Sequence, residues 1–195
     1  MEYDAAYFKR RDRYVITRKA CSRALHQLWQ PSSVLDIGCG QGLMMLWWAD
    51  HYPAIPLRGF DKYADVARPY ANRKIRNLIT TCDLEEDGWW EGIAKWDLVI
   101  CAEVAEHLKP EAGEGLVKGL TECGDRIFFT AAPPEQISRG HINLRPYPYW
   151  IALFRQHHFI NMPLVTKAWQ ALLPADIGHS VNVRDNAMFF RRMVG

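Results

Sequence analysis

Long hydrophobic runs, paired cysteine motifs and a strong excess of either charge are all missing from this 195-residue chain. No apolar stretch approaches the roughly 20 residues of a membrane span, so no transmembrane segment is expected. The opening Met1-Glu2-Tyr3-Asp4 lacks the charged-then-apolar pattern of a signal peptide. Its five cysteines are scattered, odd in number and never spaced C-x-x-C. That fits reduced thiols in a cytosolic protein better than a disulfide framework or a zinc cage. A net charge of +2 is too small to argue for any partner. Internal repeats, low-complexity tracts and linkers are absent too. What is present is a hydrophobic content of 49%, enough for one domain spanning 1–195 with a sizeable core.

The most informative stretch is Val34-Leu-Asp-Ile-Gly-Cys-Gly-Gln-Gly42. An apolar run ends in Gly38, Gly40 and Gly42, and a second apolar segment, Leu43 to Trp48, follows. The pattern predicts a buried strand, a tight glycine loop and a helix start. Glycine serves where backbone turns at positive φ or lies flat against a ligand. Such a loop can hold a small molecule at the carboxyl end of a strand, beside a helix N-terminus. The nicotinamide fingerprint G-x-G-x-x-G would place its third glycine at position 43, which is Leu43. A dehydrogenase is disfavoured on that ground.

Further strand ends carry acids. Pro56 to Asp61 reads as a second strand whose Asp61 suits the two hydrogen bonds of a ribose diol, about twenty residues past the loop. Asn77 to Leu84 reads as a third ending at Asp83, and Trp96 to Glu103 as a fourth. The alternation predicts strands over 33–37, 57–60, 78–82, 96–101 and 126–131, and helices over 14–29, 42–51, 63–74 and 111–122. A helix around 149–154, a strand near 159–165 and a last strand over 186–192 follow, while 166–184 has no legible pattern. This alternation means a mostly parallel α/β sheet with helices on both faces.

Taken together, D-x-G-x-G-x-G at 36–42, the acids at 61 and 83, and Asp-Leu-Val-Ile at 97–100 resemble the class I S-adenosylmethionine (SAM) methyltransferases. The specific motifs cover residues 30–135 and the likeness runs more loosely to the C-terminus. The resemblance implies a Rossmann-like fold of seven strands with a C-terminal antiparallel hairpin. It implies SAM as cofactor, held by Asp36, Gly38, Cys39, Gly40, Gly42, Asp61, Lys62, Asp83, Leu84 and Glu103. Asp61 would hold ribose, and Asp83 with Leu84 would hold adenine; Cys39 is read as a small loop residue and not a nucleophile. Residues 1–30 would form a helical cap, and 131–185 the substrate-side loops and helix.

Glu103-Val-Ala-Glu-His-Leu108 resembles a signature of the ubiquinone-biosynthesis O-methyltransferases, and Gly140-His-Ile-Asn143 a loop of other small-molecule methyltransferases. Substrate would approach the segments 102–110 and 131–148, after strands four and five. A hydroxyl acceptor needs a base, and an imidazole titrates near neutral pH. His141 is the first candidate, followed by His107 and Glu103. The implied activity is methyl transfer to a small molecule, at oxygen in preference to nitrogen. Asp-Pro-Pro-Tyr or Asn-Pro-Pro-Phe, marks of enzymes that methylate nucleobase amines, are absent.

Two other readings stay open. Glu103, Glu106 and His107 at i, i+3 and i+4 would share a face of a helical turn. With His141 they could hold a divalent ion, an arrangement similar to the small-RNA 3′-terminal 2′-O-methyltransferases. The basic residues Lys9, Arg10, Arg11, Arg13, Arg18, Lys19 and Arg23 would suit RNA, although a solvated helix face is the plainer account of them. The remaining reading is a catalytically silent binding subunit. Among the eight tryptophans, Trp47-Trp48 reads as core and Trp89-Trp90 as a candidate adenine wall or surface contact.

Overall fold

The computed structural model describes residues 3–178 and 181–193. Seven strands form one sheet: β1 (Val34–Ile37), β2 (Leu57–Asp61), β3 (Ile79–Thr81), β4 (Leu98–Ala102), β5 (Arg126–Thr130), β6 (Phe159–Asn161) and β7 (Ala187–Arg192). Their order is β3-β2-β1-β4-β5-β7-β6. The first five pair in parallel, and β7 runs antiparallel to both β5 and β6. The mostly parallel α/β sheet agrees with the sequence pattern, and its seven strands with an antiparallel end agree with what the resemblance implies.

Side-chain alternation along the strands explains why both faces are covered. Val34, Leu98, Ile100, Phe128 and Phe189 point to one face, where α2 (Val15–Trp29), α3 (Leu46–His51) and α7 (Pro163–Ala171) pack. Leu35, Ile37, Val99, Ile127, Phe129 and Phe190 point to the other, beneath α5 (Gly113–Cys123) and α6 (Tyr147–Gln156). Three short helices complete the set: α1 (Ala5–Lys9), α4 (Ala64–Ala67) and α8 (Val181–Asp185). Among the described residues no helix is long and apolar enough to cross a membrane.

Several elements differ from expectation. The helix predicted from residue 42 begins at Leu46, because Gly42 sits at φ +77° and a chain there cannot continue a right-handed helix. The helix predicted over 63–74 stops at Ala67; Pro69 follows in a 3₁₀ turn, and Ala71 is extended. The strand near 159–165 ends at Asn161, since Pro163 opens α7 at its first turn, a position that tolerates the missing N–H. Trp89 packs on Gly119 of α5 within the second core cluster and forms no part of the ligand cleft, so it is not an adenine wall. In the unread stretch 166–184, His179 and Ser180 lie outside the described residues.

Candidate active site

A cavity of about 280 Å³ opens at the carboxyl ends of β1 to β4. The strand order reverses direction between β1 and β4, and open α/β sheets carry their ligand crevice at such a switch point. The glycine loop forms its floor. Gly38 and Gly40 hold φ of +70° and +55°, and the N–H groups of Gly38 and Cys39 donate to Phe60 O at 2.8 and 3.0 Å. A Cβ at Gly38 would collide with Val104, so backbone there must stay bare. Gly42 plays another part: it packs against Ile75 and Met45 and does not line the cavity.

Acids from three strand ends meet here. Asp36, buried in β1, has an Oδ2 with no hydrogen-bond partner. Burial pushes its carboxyl up to about 8, with Asp61 adding to the rise and Arg18 opposing it. Asp61 accepts from Gly40 N at 2.7 Å and from Tyr63 N at 2.8 Å, which ties β2 to the loop. Burial raises its carboxyl, and those two amides and Arg11 restrain the rise. Lys62 reaches sideways to Asp83 at 2.6 Å. Burial would raise Asp83, but the Lys62 ammonium and the Glu85 amide outweigh it and hold the carboxyl below its usual range. Leu84 completes the wall beside it. Cys39 also lines the cleft; burial raises its thiol well above the usual range, so it is a poor nucleophile.

The far wall is built by the segments after β4 and β5. Glu103 sits at φ +59°, and its carboxylate accepts from Thr130 Oγ1 at 2.7 Å and Asn186 Nδ2 at 3.1 Å. Ala105–His107 forms a single 3₁₀ turn, so Glu103, Glu106 and His107 do not share a helical face as predicted. The ligating atoms of Glu106, His107 and His141 lie within 4.8 Å of one another, and Glu103 is outside that group. His107 faces the cavity, whereas His141 stands behind it with ring centroids 4.9 Å apart. Burial depresses the His107 imidazole, its bond to Gly140 acts the other way, and His141 adds to the fall.

The N-terminal segment covers the cleft with Tyr3, Tyr7, Phe8, Arg11 and Arg18. The Tyr3 ring lies tilted against Tyr7 at 4.3 Å and meets Tyr63 edge-on at 5.2 Å between ring centroids, and Phe8 lies against Gly40. Arg11 donates to Tyr7 Oη at 2.6 Å. Arg18 is the main correction to the solvated-face reading: it is 7% exposed, lines the cavity and has an Nη1 with no hydrogen-bond partner. Its place in a run of scattered basic residues gave no signal of that; only the packing of α2 on the sheet turns it inward.

A family model described as a methyltransferase domain matches residues 8–114, more than half of the chain. The chain belongs to this methyltransferase-domain family. No curated protein matches it. Solved structures with the same fold include the mitomycin 7-O-methyltransferase MmcR, 14% identical over 92% of this chain and 54% of that one, with a TM-score of 0.61. The O-methyltransferase of a trans-AT PKS multienzyme of Brevibacillus brevis, in complex with S-adenosyl-L-homocysteine, is 17% identical over 91% and 72%, with a TM-score of 0.60. The plantazolicin methyltransferase BpumL, in complex with SAH, is 15% identical over 96% and 88%, with a TM-score of 0.58. The methyltransferase domain thus spans about half the length of MmcR and most of BpumL. At these identities the structures establish its fold.

Proposed function

We propose that this chain is a SAM-dependent methyltransferase that modifies a small molecule at oxygen. One observation carries the reading: Asp36, Gly38, Gly40, Asp61 and Asp83, from three successive strand ends, line one cavity at the switch point of the sheet. The residues present fit the cofactor. Asp36 Oδ2 and Arg18 Nη1 are buried polar atoms without partners beside the glycine floor, as expected of groups that meet a zwitterionic amino acid. Asp61 uses two amides for its own placement and keeps lone pairs for the ribose hydroxyls. Leu84, with Asp83 beside it, offers an apolar face and an acceptor for adenine. Several matched proteins are named as methyltransferases and two were solved with SAH, which supports the same cofactor here.

SAM supplies a methyl group already attached to a good leaving group, so the protein's task is placement. The acceptor would enter beside Glu103, His107 and Ile142, which form the wall facing the glycine loop. His107 is held neutral by burial and is the side chain on that wall suited to take a hydroxyl proton. His141, first on sequence grounds, stands behind His107 and does not line the cavity. Glu103 is a positioning residue, fixed by Thr130 and Asn186. A cavity lined by both acids and bases suits a small metabolite.

Calorimetric titration tests the proposal directly. Wild-type protein should bind SAM and its demethylated product, and Asp61→Ala should weaken both by at least tenfold, the equivalent of about 1.4 kcal/mol. Absence of heat with the wild type, or equal affinity in the variant, would sink the cofactor assignment. Tritium transfer from labelled SAM into metabolite pools, compared with RNA pools, then reads the acceptor class.

A further inference from the structure

Behind the cleft wall, the loop 140–143 is stitched to the turn at 105–107. The N–H groups of Ile142 and Asn143 donate to Glu106 O at 2.8 and 3.1 Å, and Asn143 Nδ2 donates to Ala105 O at 3.1 Å. This stitching sets His141 opposite Glu106 and His107. Glu106 is fully buried, and no side chain hydrogen-bonds its carboxylate, which has only the backbone amides of Glu106 and Ala132 beside it. A carboxyl group left so is costly unless something satisfies it. Both imidazoles are pinned through Nδ1: His107 to Gly140 O at 3.0 Å, and His141 to Gln136 O at 2.7 Å. A carbonyl oxygen only accepts, so each Nδ1 carries the proton and each Nε2 presents a lone pair. Backbone carbonyls that fix the tautomer in this way are the outer-shell partners of metal-ligating histidines.

We propose that Glu106, His107 and His141 bind a divalent transition-metal ion of the zinc or cobalt class. Two imidazoles and one carboxylate suit such ions better than magnesium or calcium, which prefer oxygen donors. The donor atoms lie within 4.8 Å of one another, and bonds of about 2.0–2.2 Å require small side-chain rotations to close the set. Three protein ligands leave a further coordination position open, and His107 carries the site to the edge of the cavity. Glu103 is not in the set, because its carboxylate lies outside the group of donor atoms that approach one another, turned by Thr130 and Asn186, which both hold Oε1. The site does not depend on SAM, and an ion on His107 Nε2 would replace the base role that this imidazole has in the ion-free protein, because the ring has one lone pair to give.

The test uses full-length protein stripped with chelator and titrated with cobalt(II), read by visible absorption, with zinc content measured separately by mass spectrometry. One equivalent of either ion per chain is expected. Glu106→Gln and His141→Ala should each weaken cobalt binding by more than the roughly 10- to 100-fold that loss of an outer-shell partner costs. His158→Asn, at an exposed histidine with φ +62° that asparagine tolerates, should bind as the wild type does. SAM affinity of the stripped protein, measured in parallel, shows whether the fold and the cofactor cleft survive. No stoichiometric binding, or equal binding in all variants, would overturn the site whatever the SAM result.

Discussion

Asp36 shows how one residue in the cleft couples stability to pH. An unfolded aspartate titrates near about 3.9. In the fold, burial raises Asp36 to about 8, with Arg18 pulling down and Asp61 pushing up. Between these values the folded chain holds a proton that the unfolded chain has released. Unfolding free energy therefore falls as pH rises through this window. The contribution is fully present below about pH 4 and is lost by about pH 8. Asp36→Asn keeps the shape and removes the titration, so its urea midpoint should slope less steeply with pH over the same range. An unchanged slope would show that Arg18 holds Asp36 ionised in the fold. The acids of this site were readable in the sequence because each sits at or near the carboxyl end of a strand, Asp36 late in β1, Asp61 closing β2 and Asp83 just past β3, where position directs the carboxylate to the crevice. Arg18 and Tyr63 were not, since they reach the cleft from segments whose inward face is set by packing.

At the scale of elements, α7 is the piece that sequence patterning missed and packing explains. Its nine residues, Pro-Leu-Val-Thr-Lys-Ala-Trp-Gln-Ala, bury only Trp169, too little for a legible stripe. That one indole carries the docking. It lies 4.9 Å from Phe128 and 5.8 Å from Phe189 by ring centroid, and Nε1 donates to Cys21 O at 3.2 Å. A helix from the C-terminal third is thereby joined to α2 and to the central strands. Trp169→Ala should cost about 3–5 kcal/mol, the range for large aromatic deletions in a core. Equilibrium denaturation in urea measures it; a loss under about 1 kcal/mol would mean that α7 is not fixed by this contact. By contrast β1, β4 and β5 were legible because each is a mostly apolar run, buried on both faces of the sheet, while β2, with Arg58 exposed, was read from its place and its closing Asp61. The helix starts and stops at 42–46 and 67–71 went astray because glycine and proline acted locally within otherwise helical patterns.

Across the whole molecule, two core clusters clamp the sheet while the cleft at its carboxyl end stays open and holds unpartnered charge. Arg18 Nη1, Asp36 Oδ2 and Gln41 Oε1 are buried atoms without partners on residues that line the cavity, where a ligand would complete them. The N-terminal segment covers that cleft through Tyr3, Tyr7, Phe8, Arg11 and Arg18, so cofactor would bridge the cap and the strand tips. A ligand that contacts both parts binds the folded state alone, and stabilises it by mass action. At a concentration 100 times its dissociation constant the gain is about 2.7 kcal/mol. For a chain of 195 residues each kcal/mol moves the melting temperature by roughly 2–4 °C. SAM or its demethylated product should therefore raise Tm by roughly 5–11 °C in scanning calorimetry. A dinucleotide such as NAD should leave Tm unchanged, because Leu43 stands where the third glycine of its fingerprint would be. A shift with NAD and none with SAM would reassign the cleft while leaving the fold intact.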